Sequence, residues 1–395
     1  MPLLGNLIAN GVPASQAERS ALVMECMRHG ASVDLEQILR KIKITTLTLC
    51  GPLDAFALRV LLDALPSSRP IKTLELQFLG VNEGGEAETL LDVICEMRPE
   101  QLVLNWVGMA PGRLARTFPG RQPPLQSLHV KGRCAPDLLA AVIERTRPNR
   151  LTFERLRIDL EAHATISDAL RTYEGPHALA FRNCRFEWKH SPLQAPGVAR
   201  LCITQCSLDN ESWLNTLRTL SNRCEVEYLH IDLKHLADSK LVSALMSCEL
   251  VYLFNRPESK LSHVEVLGFG SPYWNILVEG VRSNANLRRL SIPSAPPSEE
   301  TAEAIRTNRR KHYQQVIVRA AAQAVFGAND PRVVSPQLVD PALAAHLGDF
   351  ASSGPEDATT LALVNTAAFS NANRAIRHHL RQHPEPRVED YFDAV

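Results

Sequence analysis

The sequence has no excess of charge of either sign and no long apolar run. Its 43 lysines and arginines balance its 43 aspartates and glutamates, so the formal net charge is zero. Without a global positive field, non-specific attraction to nucleic acid or to an anionic membrane is disfavoured, and we expect neither partner. Because no stretch approaches ~18 consecutive apolar residues, no transmembrane helix is expected either.

The cysteines do not suggest a disulfide framework. There are nine of them, an odd number, and they are scattered along the chain, which is typical of free thiols in a reducing compartment. Residues 1–17 contain no charged side chain, so the basic region that precedes the apolar core of a secretory signal is missing. We therefore expect a cytoplasmic protein, or one secreted into a host cell without a Sec signal.

Common motifs for cofactor and metal chemistry are also missing. The sequence has no Walker loop, no dinucleotide glycine fingerprint, no H-E-x-x-H and no paired C-x-x-C, so no cofactor and no metal is expected. The last cysteine is Cys248, which excludes a thioester-forming C-terminal domain. His378, His379 and His383 are interpreted as an exposed basic helix end, and Gly268–Ser271 as a tight turn. No catalytic residue is predicted.

A short apolar pattern, L-x-x-L-x-L, recurs ten times along the chain. Its central leucines are 22 to 28 residues apart, except for one interval of 38. They are Leu47, Leu74, Leu102, Leu128, Leu151, Leu179, Leu201, Leu229, Leu267 and Leu290. Between these segments, apolar residues follow the i, i+3, i+4, i+7 spacing of an amphipathic helix. The pattern predicts an α/β fold in which strands and helices alternate.

At these leucines the chain resembles the leucine-rich repeat family, and the spacing is similar to that of its ribonuclease-inhibitor-like subfamily. The resemblance implies a solenoid over residues 44–312, a horseshoe with parallel strands inside and helices outside, built from about ten degenerate repeats. At the ninth repeat position, where the family has Asn or Cys, only Cys184 and Cys206 match. In the long interval we expect an extra strand at Leu250–Phe254 and an irregular loop at Asn255–Lys260.

The ends of the solenoid require caps that cover its apolar core. Apolar spacing in Ser15–Ile42 predicts two short helices, so residues 1–43 are expected to form a helical N-terminal cap. Residues 313–395 lack the leucine pattern and contain helical stretches separated by Pro, Gly and Ser. They are predicted to form a small helical C-terminal cap or tail domain.

The residues between the strand leucines are mostly polar, which predicts a solvated strand face. With the next outward residues they form a strip of mixed charge that suits a protein partner better than nucleic acid. The residues predicted to bind that partner on the concave face are Glu75, Gln77, Asn105, His129, Lys131, Glu154, Arg182, His230 and Asp232. Three aromatic residues, Phe78, Trp106 and Tyr228, lie close to this strip in the sequence.

The favoured function is a non-catalytic protein–protein interaction scaffold that binds another protein on the concave repeat face. Resemblance to leucine-rich repeat effectors of bacterial pathogens would imply action inside a host cell. It also leaves an alternative, a cysteine-independent ubiquitin ligase whose repeats bind the substrate and whose helical tail docks a conjugating enzyme. A further alternative is a structural spacer.

Overall fold

Strands and helices alternate along the chain. The computed structural model describes residues 15–65, 71–81, 85–109, 124–173, 175–187, 197–223, 225–232, 240–256, 259–267, 284, 286–291 and 299–308. The strands are β1 Thr46–Cys50, β2 Thr73–Gln77, β3 Gly80–Val81, β4 Gln101–Met109, β5 Ser127–Cys134, β6 Arg150–Glu154, β7 Arg157–Ile158, β8 Ala178–Arg182, β9 Arg185–Phe186, β10 Arg200–Thr204, β11 Tyr228–Asp232, β12 His263–Leu267 and β13 Arg289–Ser291. The helices are α1 Gln16–Arg28, α2 Ser32–Lys41, α3 Ala55–Ala64, α4 Gly85–Met97, α5 Pro136–Thr146, α6 Leu160–Arg171, α7 Asn210–Arg223 and α8 Lys240–Asn255, and residues 299–308 are also helical.

The described residues form two compact units. One contains the residues up to Thr219 together with Ile231 and Asp232, and the other contains Leu220–His230 and the residues from Lys240 onward. In the first unit β1, β2, β4, β5, β6, β8 and β10 are neighbours in that order, and all these pairs are parallel. In the second unit β12 pairs in parallel with β13. The predicted α/β class with parallel strands is confirmed.

The predicted central leucines of the first unit lie opposite one another across the sheet. They form one continuous row of Cα partners, and every member is buried: Leu47, Leu74, Leu102, Leu128, Leu151, Leu179 and Leu201. Since side chains alternate across a strand, the residue two positions later lies on the same side of the sheet. Those residues, from Leu49 in β1 to Ile203 in β10, are buried as well. We call these two rows the leucine ladder.

Several helices start at a short polar side chain that caps the first turn. The carboxylate of Asp54 accepts a hydrogen bond from the backbone N–H of Ala57, at 2.7 Å. Asp159 and Asp209 cap α6 and α7 in the same way. Each cap satisfies a backbone donor that the first helical turn leaves unpaired. The two N-terminal helices predicted within Ser15–Ile42 are also present, as α1 and α2.

The long interval between leucines differs from the prediction in two ways. Leu250–Phe254 is not a strand but lies within α8, because Leu250, Leu253 and Phe254 follow helical spacing and are buried. Leu267 is not the central residue of β12. Val264 takes that place, since it pairs with Leu290.

The shifted register of β12 has a simple physical reason. Leu261, Val264 and Val266 are buried and supply the apolar positions of the pattern, whereas Leu267 is partly exposed. A β-branched valine fits a strand at least as well as leucine does. The leucine pattern therefore predicts the centre of this strand three residues too late, at Leu267 instead of Val264.

Each of the seven principal strands of the first unit carries a left-handed residue four positions after its central leucine. These residues, which we call the turn row, are Gly51, Phe78, Trp106, Gly132, Arg155, Asn183 and Gln205, with φ between +51° and +78°. The backbone N–H of Phe78 donates to Asn105 on the next strand at 2.8 Å, and that of Arg155 donates to Arg182 at 2.9 Å. The sheet ladder thus continues through residues whose conformation costs a non-glycine residue about 1–2 kcal/mol.

The residue immediately after each turn-row position connects to the core. Leu79, Leu156, Cys184 and Cys206 lie there and are buried. The thiols of Cys184 and Cys206 donate to backbone carbonyls of the preceding strand, at 3.4 and 3.5 Å. All eight cysteines in the described ranges are free thiols, as predicted.

Several predictions fall outside the described ranges. They concern residues 313–395, the histidines from His378 to His383, and Gly268–Ser271. The domain boundaries at residues 43 and 312 remain predictions. Among the described helices, none is long and apolar enough to cross a membrane.

Replacing Leu179 by Asp should unfold the first unit. Leu179 is buried in the middle of the leucine ladder. Truncating such a residue to Ala costs about 2–5 kcal/mol, and an unpaired buried carboxylate costs more. Leu160→Asp is the matched control, because Leu160 is exposed at the start of α6. Thermal unfolding followed by circular dichroism checks both, and a normal melting temperature for Leu179→Asp contradicts the register.

Replacing Gln205 by Gly should stabilise the protein slightly. The φ of +54° at Gln205 is strained for glutamine and free for glycine, so a gain of up to about 1 kcal/mol is expected. Gln205→Val should destabilise, since β-branched residues tolerate this region worst. Thr204→Gly, one residue earlier in β10, should also destabilise. Denaturant unfolding measures all three, and a loss of stability in Gln205→Gly contradicts the role of the turn.

Candidate functional site

The structure brings five of the nine predicted binding residues into one line. Gln77, Asn105, Lys131, Glu154 and Arg182 are successive Cα partners across β2, β4, β5, β6 and β8. All five are partly exposed. The sequence pattern therefore predicted correctly that residues far apart in the chain share one strip.

On each strand, one residue lies in sequence between the two ladder residues, on the opposite face of the sheet. These residues, which we call the inner strip, are less exposed than predicted. Glu75 is partly exposed, but Val103, His129, Thr152 and Ala180 on the following strands are buried. The expectation of a solvated strand face is wrong there. A physical reason is visible at His129, where a longer side chain from the next strand folds over the ring and bonds to it.

His230 and Asp232 also differ from the prediction. Both are buried, so neither is available to a partner in this conformation. All five residues of β11 are buried. Within the second unit, the ring of His230 lies 3.4 Å from the carboxylate of Glu265 on β12. The register error at β12 kept Glu265 out of the predicted site.

His129 is held in a buried polar pair. Its Nε2 lies 3.0 Å from a carboxylate oxygen of Glu154, and the ammonium group of Lys131 lies 4.0 Å from the same oxygen. The pKa of His129 is lowered from 6.5 to about 4, mainly by burial and next by the charge of Lys131, although Glu154 opposes the shift. The ring is therefore neutral at pH 7, and its Nε2–H donates to Glu154.

Two large aromatic side chains stand exposed in the turn row. Phe78 is 63% exposed and Trp106 is 53% exposed, and they lie at the same position on the neighbouring strands β2 and β4. Tyr228, the third aromatic residue noted in the sequence, is instead buried and stacked on His263. Phe78 and Trp106 are therefore the aromatic residues of this region that a partner can reach.

Trp106 is positioned by the glycine on the next strand. A Cβ atom at Gly132 would lie 2.5 Å from the indole Nε1, closer than real Cβ contacts allow. The indole thus packs on the bare backbone of Gly132, which is itself left-handed with φ +68°. No other residue type fits this position, because both the conformation and the space require glycine.

Beyond the aromatic pair, the same edge of the sheet carries exposed arginines. Arg157 and Arg185 are partners in the short β7–β9 pair, and Arg155 belongs to the turn row. The side chains of Arg155, Arg157 and Arg185, which we call the arginine group, are 72–75% exposed. The sequence analysis did not single out these three residues. They come after the L-x-x-L-x-L segments in the chain and are not part of them.

Two carboxylates hold the arginine group in place. Arg157 Nε lies 2.7 Å and Arg185 Nε 3.7 Å from the same oxygen of Glu187, and Arg155 Nε lies 3.7 Å from Glu154. The two glutamates are only 23–25% exposed. The glutamate side chains are therefore much less exposed than those of the arginines, which face solvent.

The aromatic pair and the arginine group form one surface at the carboxyl ends of the strands. We call it the strand-end surface and define it by Phe78, Trp106, Arg155, Arg157 and Arg185. With neighbouring strands ~4.8 Å apart, the three spacings from β2 to β6 place Phe78 roughly 14 Å from Arg155. Arg185 follows the next strand, β8, at roughly 19 Å from Phe78.

A second polar cluster in the described residues is internal. In the second unit, Ser262 donates to the carbonyl of Glu227 at 3.0 Å and contacts Nδ1 of His263 at 2.9 Å. Because the serine hydrogen is used by the carbonyl, His263 is the donor in this contact and is not a base for Ser262. Both residues are buried. Among the described side chains, no group of three or more His, Cys, Asp or Glu is arranged to hold a metal ion.

Neither a protein-family model nor a curated protein matches the chain. The function is therefore inferred from the strand-end surface and its supporting residues.

The low pKa of His129 predicts how stability depends on pH. Above pH 6.5 the ring is neutral in both the folded and the unfolded chain. Between pH 6.5 and about 4 the unfolded chain binds a proton that the folded chain does not, so stability falls as the pH is lowered. His129→Gln keeps a donor for Glu154 and lacks this titration. Urea unfolding of both proteins across this range should show the larger loss in the wild type, and parallel curves contradict the assignment.

Proposed function

We propose that this protein is a non-catalytic scaffold of the leucine-rich repeat type, which binds a partner protein through the strand-end surface. The observation that carries the proposal is the pair of exposed aromatic side chains, Phe78 and Trp106, side by side on neighbouring strands. Large aromatic residues and arginines are the side chains in which binding energy at protein interfaces concentrates.

The repeat assignment is supported by the sheet register. Seven central leucines that are 22 to 28 residues apart in the chain lie opposite one another as buried Cα partners. Helices such as α3, α4, α5 and α6 connect these parallel strands. A regular interval, one buried ladder and a helical return are the features expected of stacked repeats.

The backbone argues for binding rather than for a passive spacer. Phe78 and Trp106 occupy left-handed turns, where a non-glycine residue costs free energy, and Trp106 is supported by Gly132. A spacer requires neither an exposed indole nor a glycine that fits beneath it. Because the indole of Trp106 packs on Gly132, it loses little freedom when a partner covers it, which favours affinity.

The proposed surface is shifted from the one predicted by the sequence. Gln77, Asn105, Lys131, Glu154 and Arg182 border it, since each lies one residue before a turn-row position. Glu75 lies deeper on the strand face. His129 acts as buried support for Glu154, at 3.0 Å. Partner contact is therefore expected at the strand ends and not along the middle of the strands.

The test is a selection of ligands by the full-length protein. Peptides are selected from a random library displayed on phage, and their affinities are measured for the wild type and for Phe78→Ala/Trp106→Ala. We expect the double variant to bind at least tenfold more weakly, equivalent to about 1.4 kcal/mol, because it lacks both anchors.

The matched control is Phe56→Ala/Tyr252→Ala. Phe56 and Tyr252 are as exposed as the surface pair but lie on α3 and α8. This variant should bind the selected peptides within twofold of the wild type, and circular dichroism should show both variants folded. If the peptides bind the Phe78/Trp106 variant as well as they bind the wild type, the proposal is wrong.

A further inference from the structure

We infer that the strand-end surface takes an extended acidic segment of its partner, in which an apolar side chain lies about four to six residues from a cluster of carboxylates. This inference rests on the proposed function and adds the chemistry of the ligand. It depends on the division of the surface into an aromatic end and a cationic end.

The cationic end has more positive than negative groups. Among the side chains that the structure describes, the charged groups recognised around the arginine group are Lys131, Arg155, Arg157, Arg182 and Arg185 against Glu154, Asp159 and Glu187. His129 adds no charge at pH 7, because its neutral ring is buried under Glu154. These described side chains leave a local excess of two positive charges, in a chain whose formal net charge is zero. A ligand drawn to this end must be anionic.

The geometry of the ion pairs leaves the arginines able to bind. Arg157 and Arg185 share one carboxylate oxygen of Glu187, which lies 2.7 Å from the Nε of Arg157 and 3.7 Å from the Nε of Arg185. A guanidinium group has five N–H donors, so each arginine keeps donors for a second carboxylate. The ion pairs with Glu187 and Glu154 hold the three arginines close together while their side chains stay 72–75% exposed.

Distance along the edge fixes the spacing in the ligand. Phe78 is roughly 14 Å from Arg155 and roughly 19 Å from Arg185, counted in strand spacings. An extended peptide advances ~3.3 Å per residue, so about four to six residues separate its two anchoring ends. A peptide that crosses the strand ends in this way places an apolar residue on Phe78 and Trp106, and carboxylates on the arginine group.

A polypeptide fits this surface better than a nucleic acid does. Nucleic-acid surfaces interleave aromatic and basic residues, so that bases stack while phosphates pair along the same groove. Here the two aromatics lie together on β2 and β4, and the three arginines lie together beyond β5. Segregated ends of this kind match a segment with one apolar end and one acidic end.

The probe is a fluorescein-labelled synthetic peptide with Leu-Phe separated by about five residues from three aspartates, in both chain directions. Fluorescence anisotropy with the full-length protein should show at least tenfold tighter binding than for the same peptide with lysines. The affinity should fall when the salt concentration is raised from about 50 to about 500 mM. Peptides with a spacing of about two residues should bind more weakly, because they cannot reach both ends.

Charge-neutral variants test the arginines directly. The variant Arg155→Gln/Arg157→Gln/Arg185→Gln should bind the aspartate peptide at least tenfold more weakly than the wild type. Its affinity should also lose most of the dependence on salt concentration. The matched control is Arg40→Gln/Arg59→Gln/Arg171→Gln, which removes three exposed arginines from helices of the same unit. This control should bind as the wild type does.

The outcomes separate this inference from the proposed function. If the phage-selected peptides depend on Phe78 and Trp106, while aspartate and lysine peptides bind equally or the triple arginine variant is unaffected, the acidic ligand is wrong and the scaffold proposal stands. If an oligothymidylate of similar length binds more tightly than the aspartate peptide, the inference is also wrong. If no peptide depends on Phe78 and Trp106, both proposals fail.

Discussion

Burial of the leucine ladder is the constraint on which the other features of the first unit depend. Each strand buries two apolar side chains on one face, and a slip of one residue would turn that whole set toward solvent. The ladder therefore fixes the register of neighbouring strands. Since the turn row follows each central leucine by four residues, Phe78 and Trp106 are aligned by the same constraint, although neither belongs to the core.

The leucine pattern predicts most of this framework. It fails where a core position of the same structure is occupied by a residue other than leucine. Seven central leucines pair as predicted, because leucine is the commonest solution at that position here. At β12 the core position is Val264, so a search for leucine selected Leu267 instead. The short apolar run Leu250–Phe254 fits the spacing of a strand as well as that of a helix. Leu250, Leu253 and Phe254 are buried at helical spacing, which decides for the helix.

The candidate site could be predicted only in part. Strand alternation tells on which face of the sheet a side chain lies, but not whether neighbouring side chains cover it. The alternation places His129 on the strand face opposite the leucine ladder, but whether its ring is buried depends on the length of its neighbours. Glu154 reaches back to the His129 ring at 3.0 Å and covers it, and no spacing rule reports such a contact. Arg157 and Arg185 were missed for a related reason. They become neighbours through the two-residue pair β7–β9, which is too short to leave a pattern in the sequence.

The strained turns connect stability with binding. Glycine occupies the turn row at Gly51 and Gly132, which shows that the fold accepts the least costly residue there. Phe78, Trp106 and Arg155 occupy equivalent positions at a cost of about 1–2 kcal/mol each. A backbone hydrogen bond across the sheet offsets part of this cost at Phe78 and Arg155. Unlike glycine, these residues carry side chains, and the backbone that bears them is held by the sheet. Holding the backbone in place reduces the entropy lost when a ligand is bound. The leucine ladder therefore sets the positions of the turn row, and the turn row presents aromatic and cationic side chains in a preorganised arrangement.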